Sequence, residues 1–258
     1  MTLRQRGFTL TELVMVIVIV GILGVAVTRF ITATVGGYVD TADRQKLASA
    51  GYISSEKISR ELRTALPNSI RLNASNSCIE YIPILAGTYY TSIPLDAAGN
   101  SIEAVGARVS SAVSGRAVVY PVSASALYSP SSTGAITSAT ATLPVGTDAI
   151  TISLSANHQF DADSPARRVF IVDSPRAYCV VGGLMFLYRN YGFNSSITLP
   201  PTGGQRAVLL DNISTSTNAF DYTPASLVRN AVVNFRYTLS KNDETWQTEQ
   251  EVHIRNVP

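Results

Sequence analysis

Residues 6–27 read RGFTLTELVMVIVIVGILGVAV, and this stretch decides the fold. From Phe8 to Val27 the chain runs 20 residues with Glu12 as its only charge. A helix of that length spans roughly 30 Å, the thickness of the hydrocarbon core of a bilayer. Arg4 and Arg6 stand immediately before it. Positive charge flanking a first apolar helix stays in the cytoplasm, so the rest of the chain is expected on the far side of the membrane.

Three ordinary readings compete. A cleaved secretory signal would share the basic start and offer Gly24-Val25-Ala26 as a small-x-small site. The apolar stretch is long for a signal core, however, and carries an acid near its start. A plain single-pass anchor leaves Glu12 unexplained, because an acid inside a spanning helix is costly and usually functional. A buried core helix fits the length poorly and ignores the basic flank.

A fourth reading accounts for every feature. Arg6-Gly7-Phe8-Thr9-Leu10-Thr11-Glu12-Leu13 resembles the cleavage and methylation motif of type IV prepilins and type II secretion pseudopilins. The resemblance implies a leader of residues 1–7, cleaved between Gly7 and Phe8 by a prepilin peptidase that also methylates the new Phe8 amine. It assigns Glu12 to assembly. A carboxylate in lipid costs roughly 2.5–3.5 kcal/mol on insertion scales, and a Phe8 ammonium beside it offsets both charges. That pairing is open to two arrangements: within one helix at i, i+4, or between adjacent subunits. Many members carry a proline where this chain has Arg29, so the usual kink is not encoded there. Arg29 can snorkel to the periplasmic interface. The implied partners are the peptidase/methyltransferase, other minor and major pilins, the inner-membrane assembly machinery and membrane lipid. The implied location is the inner membrane, single-pass with the head in the periplasm, and then the assembled pilus.

Composition agrees with a structural role. The 258 residues carry 20 Lys and Arg against 18 Asp and Glu. Without Arg4 and Arg6 the counts are 18 and 18, and a neutral body argues against a nucleic-acid footprint. Two histidines and two cysteines make a His/Cys zinc cluster or a histidine-rich catalytic centre improbable. No catalytic constellation, metal or cofactor is expected. His158 is placed in a loop and His253 in a terminal strand. Asp161 and Asp163, with Asp148, are weighed as calcium ligands, since some relatives of the family bind calcium in their heads; two acids in a polar loop are common by chance. Gly182-Gly183 and Gly203-Gly204 read as turns, because no strand–glycine–helix context surrounds them.

Beyond the span, apolar or small residues recur at Leu47, Gly51, Ser54/Ser55, Ile58, Leu62 and Ala65/Leu66, near the helical period. The helix is expected over 8–66 and stops before Pro67, with Gly36-Gly37 as a flexible break between its halves. Phe8 to Leu66 is 59 residues, roughly 90 Å as one helix, which suits a subunit that packs into a filament core. Residues 67–258 then read as short strands. Residues 148–154 alternate, 168–181 read as strand, turn, strand, and Gly182-Gly183 turns the chain into 184–188. Val233, Phe235, Tyr237 and Leu239 alternate on one face, and Ser240–Asp243 turn toward a closing strand at 246–254. The Ser-, Ala-, Thr- and Gly-rich residues 110–142 read as a loosely packed surface loop. The fold class is α+β: a long N-terminal helix, transmembrane over 8–27, packed on an antiparallel sheet head.

In an oxidising periplasm Cys78 and Cys179 are expected to be bridged, the alternative being two buried free thiols. They are 101 residues apart, and closing such a loop is worth roughly 4–5 kcal/mol. Residues 58–70, 168–179 and 251–258 also resemble minor pilins of the mannose-sensitive haemagglutinin (MSHA) pilus. PilW-like minor pilins and the J-type pseudopilins remain open, as does a non-polymerising anchored binding protein.

Overall fold

The computed structural model describes residues 7–214, 218–225 and 229–254. Helix α1 spans Leu10–Arg63, 54 residues without interruption. It starts where Thr9 and Glu12 form a capping box, which satisfies first-turn donors that have no partner within the helix. Gly36 and Gly37 do not break it. A helix-interior glycine costs about 1 kcal/mol, too little to interrupt an established hydrogen-bond ladder. Threonine hydroxyls thicken that ladder: Thr34 and Thr41 donate to the carbonyls of Phe30 and Gly37 at 2.8 and 2.7 Å. The helix ends three residues short of Leu66 because the next segment is recruited elsewhere. Leu66 donates its N–H to Ile82, and Thr64 accepts from Ile84.

The strands follow in chain order: β1 (Arg71–Leu72), β2 (Cys78–Tyr81), β3 (Ile84–Ser92), β4 (Gly99–Val105), β5 (Val113–Val119), then the short helix α2 (Ala124–Leu127) and β6 (Ala141–Leu143). After these come β7 (Ala149–His158), β8 (Arg168–Val172), β9 (Arg176–Val181), β10 (Leu184–Arg189), β11 (Gln205–Leu210), β12 (Phe220–Thr223), β13 (Ala231–Lys241) and β14 (Glu244–Ile254). They form a five-stranded sheet ordered β1-β2-β9-β10-β11, a three-stranded sheet β12-β13-β14 and a closed barrel β3-β4-β7-β6-β5-β8. Every ladder is antiparallel.

The two sheets make a platform for the second half of α1. Leu47, Ile58 and Leu62 enter one core with Ile79, Tyr81, Tyr178, Val233, Phe235, Tyr237 and Leu239. Tight turns set its hairpins. Gly182 and Gly183 take φ of +59° and +78° between β9 and β10, a backbone that glycine adopts without steric cost. Asn242 does the same at +53° between β13 and β14.

The barrel is inserted in that platform. The chain leaves the five-stranded sheet after β2 through Ile82-Pro83 and returns through Asp173–Pro175 into β9, which pairs with β2. Strands β8 and β9 were expected to form one hairpin, but β8 pairs with β3 and β5 instead. A proline stands at each crossing, and proline has no N–H to continue a ladder.

Residues 110–142, expected as a loose loop, supply β5, α2 and β6 of this barrel. Ala117, Val118, Val119, Leu127, Ile136 and Ala141 are buried. Small residues there permit close approach. A Cβ on Gly115 would meet the carbonyl oxygen of Val172 at 2.3 Å. Hydroxyls replace missing ladder partners: Thr137 Oγ1 accepts from the Ala117 N–H and donates to the Ala139 carbonyl. His158 is likewise not in a loop. It closes β7, is buried, and its ring nitrogens lie 3.2 and 2.9 Å from the carbonyls of Ser131 and Gly134.

Candidate functional site: the N-terminal segment and its junction with the head

Gly7 and Phe8 are exposed and precede the helix, with Thr9 as its N-cap. Residues 1–6, including Arg4 and Arg6, lie outside the described residues. The Glu12 carboxylate accepts from the Thr9 amide at 3.0 Å and from the Thr9 hydroxyl at 2.9 Å. Because Phe8 lies before the cap, the i, i+4 arrangement of Phe8 and Glu12 within one helix is not formed in the uncut chain. The carboxylate is instead held on the amide of the residue that follows Phe8. Opening the bond after Gly7 would create an ammonium one residue away from it.

Every residue from Gly7 to Thr41 is exposed. This is the most apolar part of the chain, with Phe30 and Tyr38 at 72% and 76% exposure. Within it the threonines do not present bare hydroxyls. Thr28 donates to Gly24 at 2.8 Å and Thr32 to Thr28 at 3.0 Å, a back-bonding that hides a polar group from lipid or from a neighbouring helix.

A charge clamp marks where the helix meets the head. Asp43 accepts from Lys241 Nζ at 2.8 Å and from Asn242 Nδ2 at 2.7 Å. Arg44 grips Glu244 with two hydrogen bonds of 2.9 Å. The Lys241 hydrogen bond holds the Asp43 carboxyl below its ordinary range, and Arg44 does the same for Glu244. All three partners lie at the β13–β14 turn, so the turn locks onto the helix just before its first buried apolar residue, Leu47. One turn further, Gly51 lets β14 approach: a Cβ there would stand 2.8 Å from Thr248 Oγ1 and 2.9 Å from Trp246 Cδ1. Ser54 Oγ and Tyr237 Oη share a hydrogen bond of 2.7 Å beneath it.

Cys78 and Cys179 are directly opposed in β2 and β9 and are bridged. Beside them, the buried pair Arg71–Glu80 ties β1 to β2 within the platform. Tyr191 donates to Glu80 at 2.8 Å, and the Arg71 guanidinium lies 3.5 Å from the ring centre of Tyr128, just past α2. Burial, then the charge of Glu80, pushes the Tyr191 and Tyr128 hydroxyls well up.

The remaining candidates are scattered. Asp163 accepts from the Tyr90 hydroxyl; burial, then that bond, pushes Tyr90 up to about 12. Among the described residues no group of three or more His, Cys, Asp or Glu side chains is placed to hold a metal ion. His253 is exposed on β14, 2.9 Å from Glu251. Gly203 and Gly204 form the positive-φ turn before β11. The clamp was not foreseen from the sequence. The Ser240–Asp243 turn is visible there, but its partners lie 198 to 200 positions away.

Residues 2–28 match the model of the prokaryotic N-terminal methylation motif. No curated protein and no solved structure matches the chain. The motif supports a place in the type IV prepilin and pseudopilin family, and with it processing by a prepilin peptidase and assembly with other pilins. It points to a structural subunit rather than an enzyme. The apolar N-terminal helix fits a membrane anchor of such a subunit.

Proposed function

We propose that the chain is an MshO-like minor pilin of an MSHA-type pilus, a structural subunit that helps to initiate or cap the filament. The observation that carries this reading is the joining of the methylation motif, through one unbroken helix exposed from Gly7 to Thr41, to a head gripped from Asp43 onward. Such a helix exposes about 50 Å of apolar surface, more than a bilayer core covers. Lipid covers it before assembly and neighbouring helices cover it afterwards. The head faces the periplasm and then the pilus surface, as the Arg4/Arg6 flank directs. Segments 58–70, 168–179 and 251–258 favour the MSHA minor pilins over PilW-like pilins and J-type pseudopilins, which share the motif and the assembly role. A non-polymerising anchor would need neither Gly7 nor Glu12.

Mass spectrometry of the mature N-terminus tests the processing step. Cleavage after Gly7 with a methylated Phe8 amine is expected, and a chain beginning at Met1 or Val27 would sink the reading. A large residue at Gly7 is expected to leave precursor in the membrane. Glu12→Val removes a costly charge, so the variant is expected to insert at least as well yet to crosslink poorly to other pilins. Unchanged crosslinking with normal filaments would take the assembly role from Glu12.

A further inference from the structure

The five-stranded sheet ends at β11, whose outer side pairs with no strand among the described residues. Monomeric proteins usually blunt such an edge with proline, a bulge or inward charge. Gln205–Leu210 holds no proline, and Gln205–Val208 is exposed throughout, with Val208 at 57%. The irregularity at Met185/Phe186 spares the register from Phe186 to Arg189 against Val208 to Gln205. A groove of about 390 Å3 follows this edge, walled by Lys57 of α1, Leu187 and Arg189 of β10, and residues 205–209.

The wall is basic. Lys57 of α1 and Arg189 of β10 stand on its helix side, while Arg206 of β11 lies on the opposite face, 5.1 Å over the Phe186 ring. Lys57 makes no ion pair among the described residues, and Arg189 has only Glu61, at 4.0 Å. The other sheet ends in β14 with the opposite character: Glu244, Glu249 and Glu251 and no Lys or Arg.

We propose that the β11 edge is a docking surface for an extended acidic strand of a partner protein. The strand would add to the sheet beside β11, its main chain satisfying the open edge. Its carboxylates would face Lys57 and Arg189 on the helix side, and its alternating apolar side chains would cover Val208 on the opposite face. Charge complementarity selects an acidic strand over a neutral or basic one. The proposal names a head surface through which the assembly reading above would be met, and it can fail without it, because binding is read on the unassembled chain.

The test uses the full chain in detergent with its Cys78–Cys179 bridge intact. A fluorescent peptide of alternating Glu and Val is titrated and followed by anisotropy, with an alternating Lys and Val peptide beside it. Saturable binding of the acidic peptide alone is expected, with amide-exchange protection arising at residues 205–209. Lys57→Glu lies on the helix surface and Arg189→Glu at the part-exposed end of β10, so both are expected to fold. Together they should weaken binding by about tenfold. Equal binding of both peptides, unchanged affinity in the double variant, or protection confined to β14 would overturn the proposal. So would sedimentation showing the edge already covered by a second copy of the chain. A failed cleavage at Gly7 would leave this result untouched.

Discussion

The platform and the barrel are both antiparallel, yet they are held in different ways. The platform's sheets end in unpaired strands, β11 and β14 among them, and depend on half of α1, on the clamp of Asp43 and Arg44 to the β13–β14 turn and on a disulfide. The barrel has no edge, and its core of Ile102, Val119, Leu143, Ile152, Val169 and Ile171 closes without α1. Its first and last strands meet at Ile84↔Val172, so the inserted segment begins and ends at one place. The difference teaches that the head is a helix-bound sheet carrying a self-closed module, and not one continuous sheet.

The largest expected effect bears directly on that division. Replacing Cys78 and Cys179 by serine opens a loop of 101 residues. If barrel and platform unfold together, denaturant unfolding should show a loss of about 4.7 kcal/mol. If the barrel stays folded, Ile84 and Val172 remain together and the effective loop shrinks to about 15 residues, worth about 3 kcal/mol. The second value is expected, with exchange protection lost in β2 and β9 and retained in β7.

Ile152→Ala attacks the other side of the comparison. The side chain is fully buried in the barrel, and its truncation should cost about 3 kcal/mol. Amide exchange should rise in β4, β6 and β7 while β13 and β14 keep their protection. An equal loss in both sets would make the head one cooperative unit.

Gly51→Ala should strike the platform alone. The added methyl meets Thr248 and Trp246 at 2.8–2.9 Å, and overpacking of this kind costs about 1–3 kcal/mol. Lower platform stability with an unchanged barrel is expected by exchange.

The smallest effect is that of acid on the clamp. Asp43 and Glu244 are held below their ordinary values of 3.8 and 4.5. A depressed carboxyl contributes stability above its unfolded value and loses it as pH falls through the folded one. Arg44 is largely exposed, so the contribution is modest. Cleavage by a protease near Gly36-Gly37 should therefore spread toward Asp43 below about pH 4, and Asp43→Asn should show that spreading at neutral pH. A cleavage pattern independent of pH would assign the boundary to packing at Leu47 instead.

Much of the platform is legible in the sequence. The 3.6-residue stripe from Leu47 to Leu62 is the face α1 buries, and Val233, Phe235, Tyr237 and Leu239 alternate as β13 does. The apolar half of α1 is legible because a 20-residue run with Glu12 as its only charge stands out in the sequence. The barrel is mostly hidden. Alternation shows in β7, but β5 and β6 are built from Ala, Ser, Gly and Thr, whose burial depends on tight backbone approach rather than on large side chains. The break between β8 and β9 is hidden for a related reason: Asp173-Ser174-Pro175 has the composition of a hairpin turn, and only the partners of each strand distinguish a turn from a crossing. The clamp is hidden because each of its charges, taken alone, looks like an ordinary solvated one.

The bridge between β2 and β9 also changes what a break in the chain means. Cys78 lies before the point where the chain departs for the barrel, and Cys179 lies after its return. A peptide bond cut anywhere between them leaves one covalent object, with the N-terminal helix still tied to β10–β14. Tension between the two ends bypasses the barrel altogether and runs from α1 through the sulfur link. About 340 Å of extended chain is thereby withheld from stretching. A head pulled at its ends or nicked within the barrel therefore keeps α1 covalently joined to β10–β14.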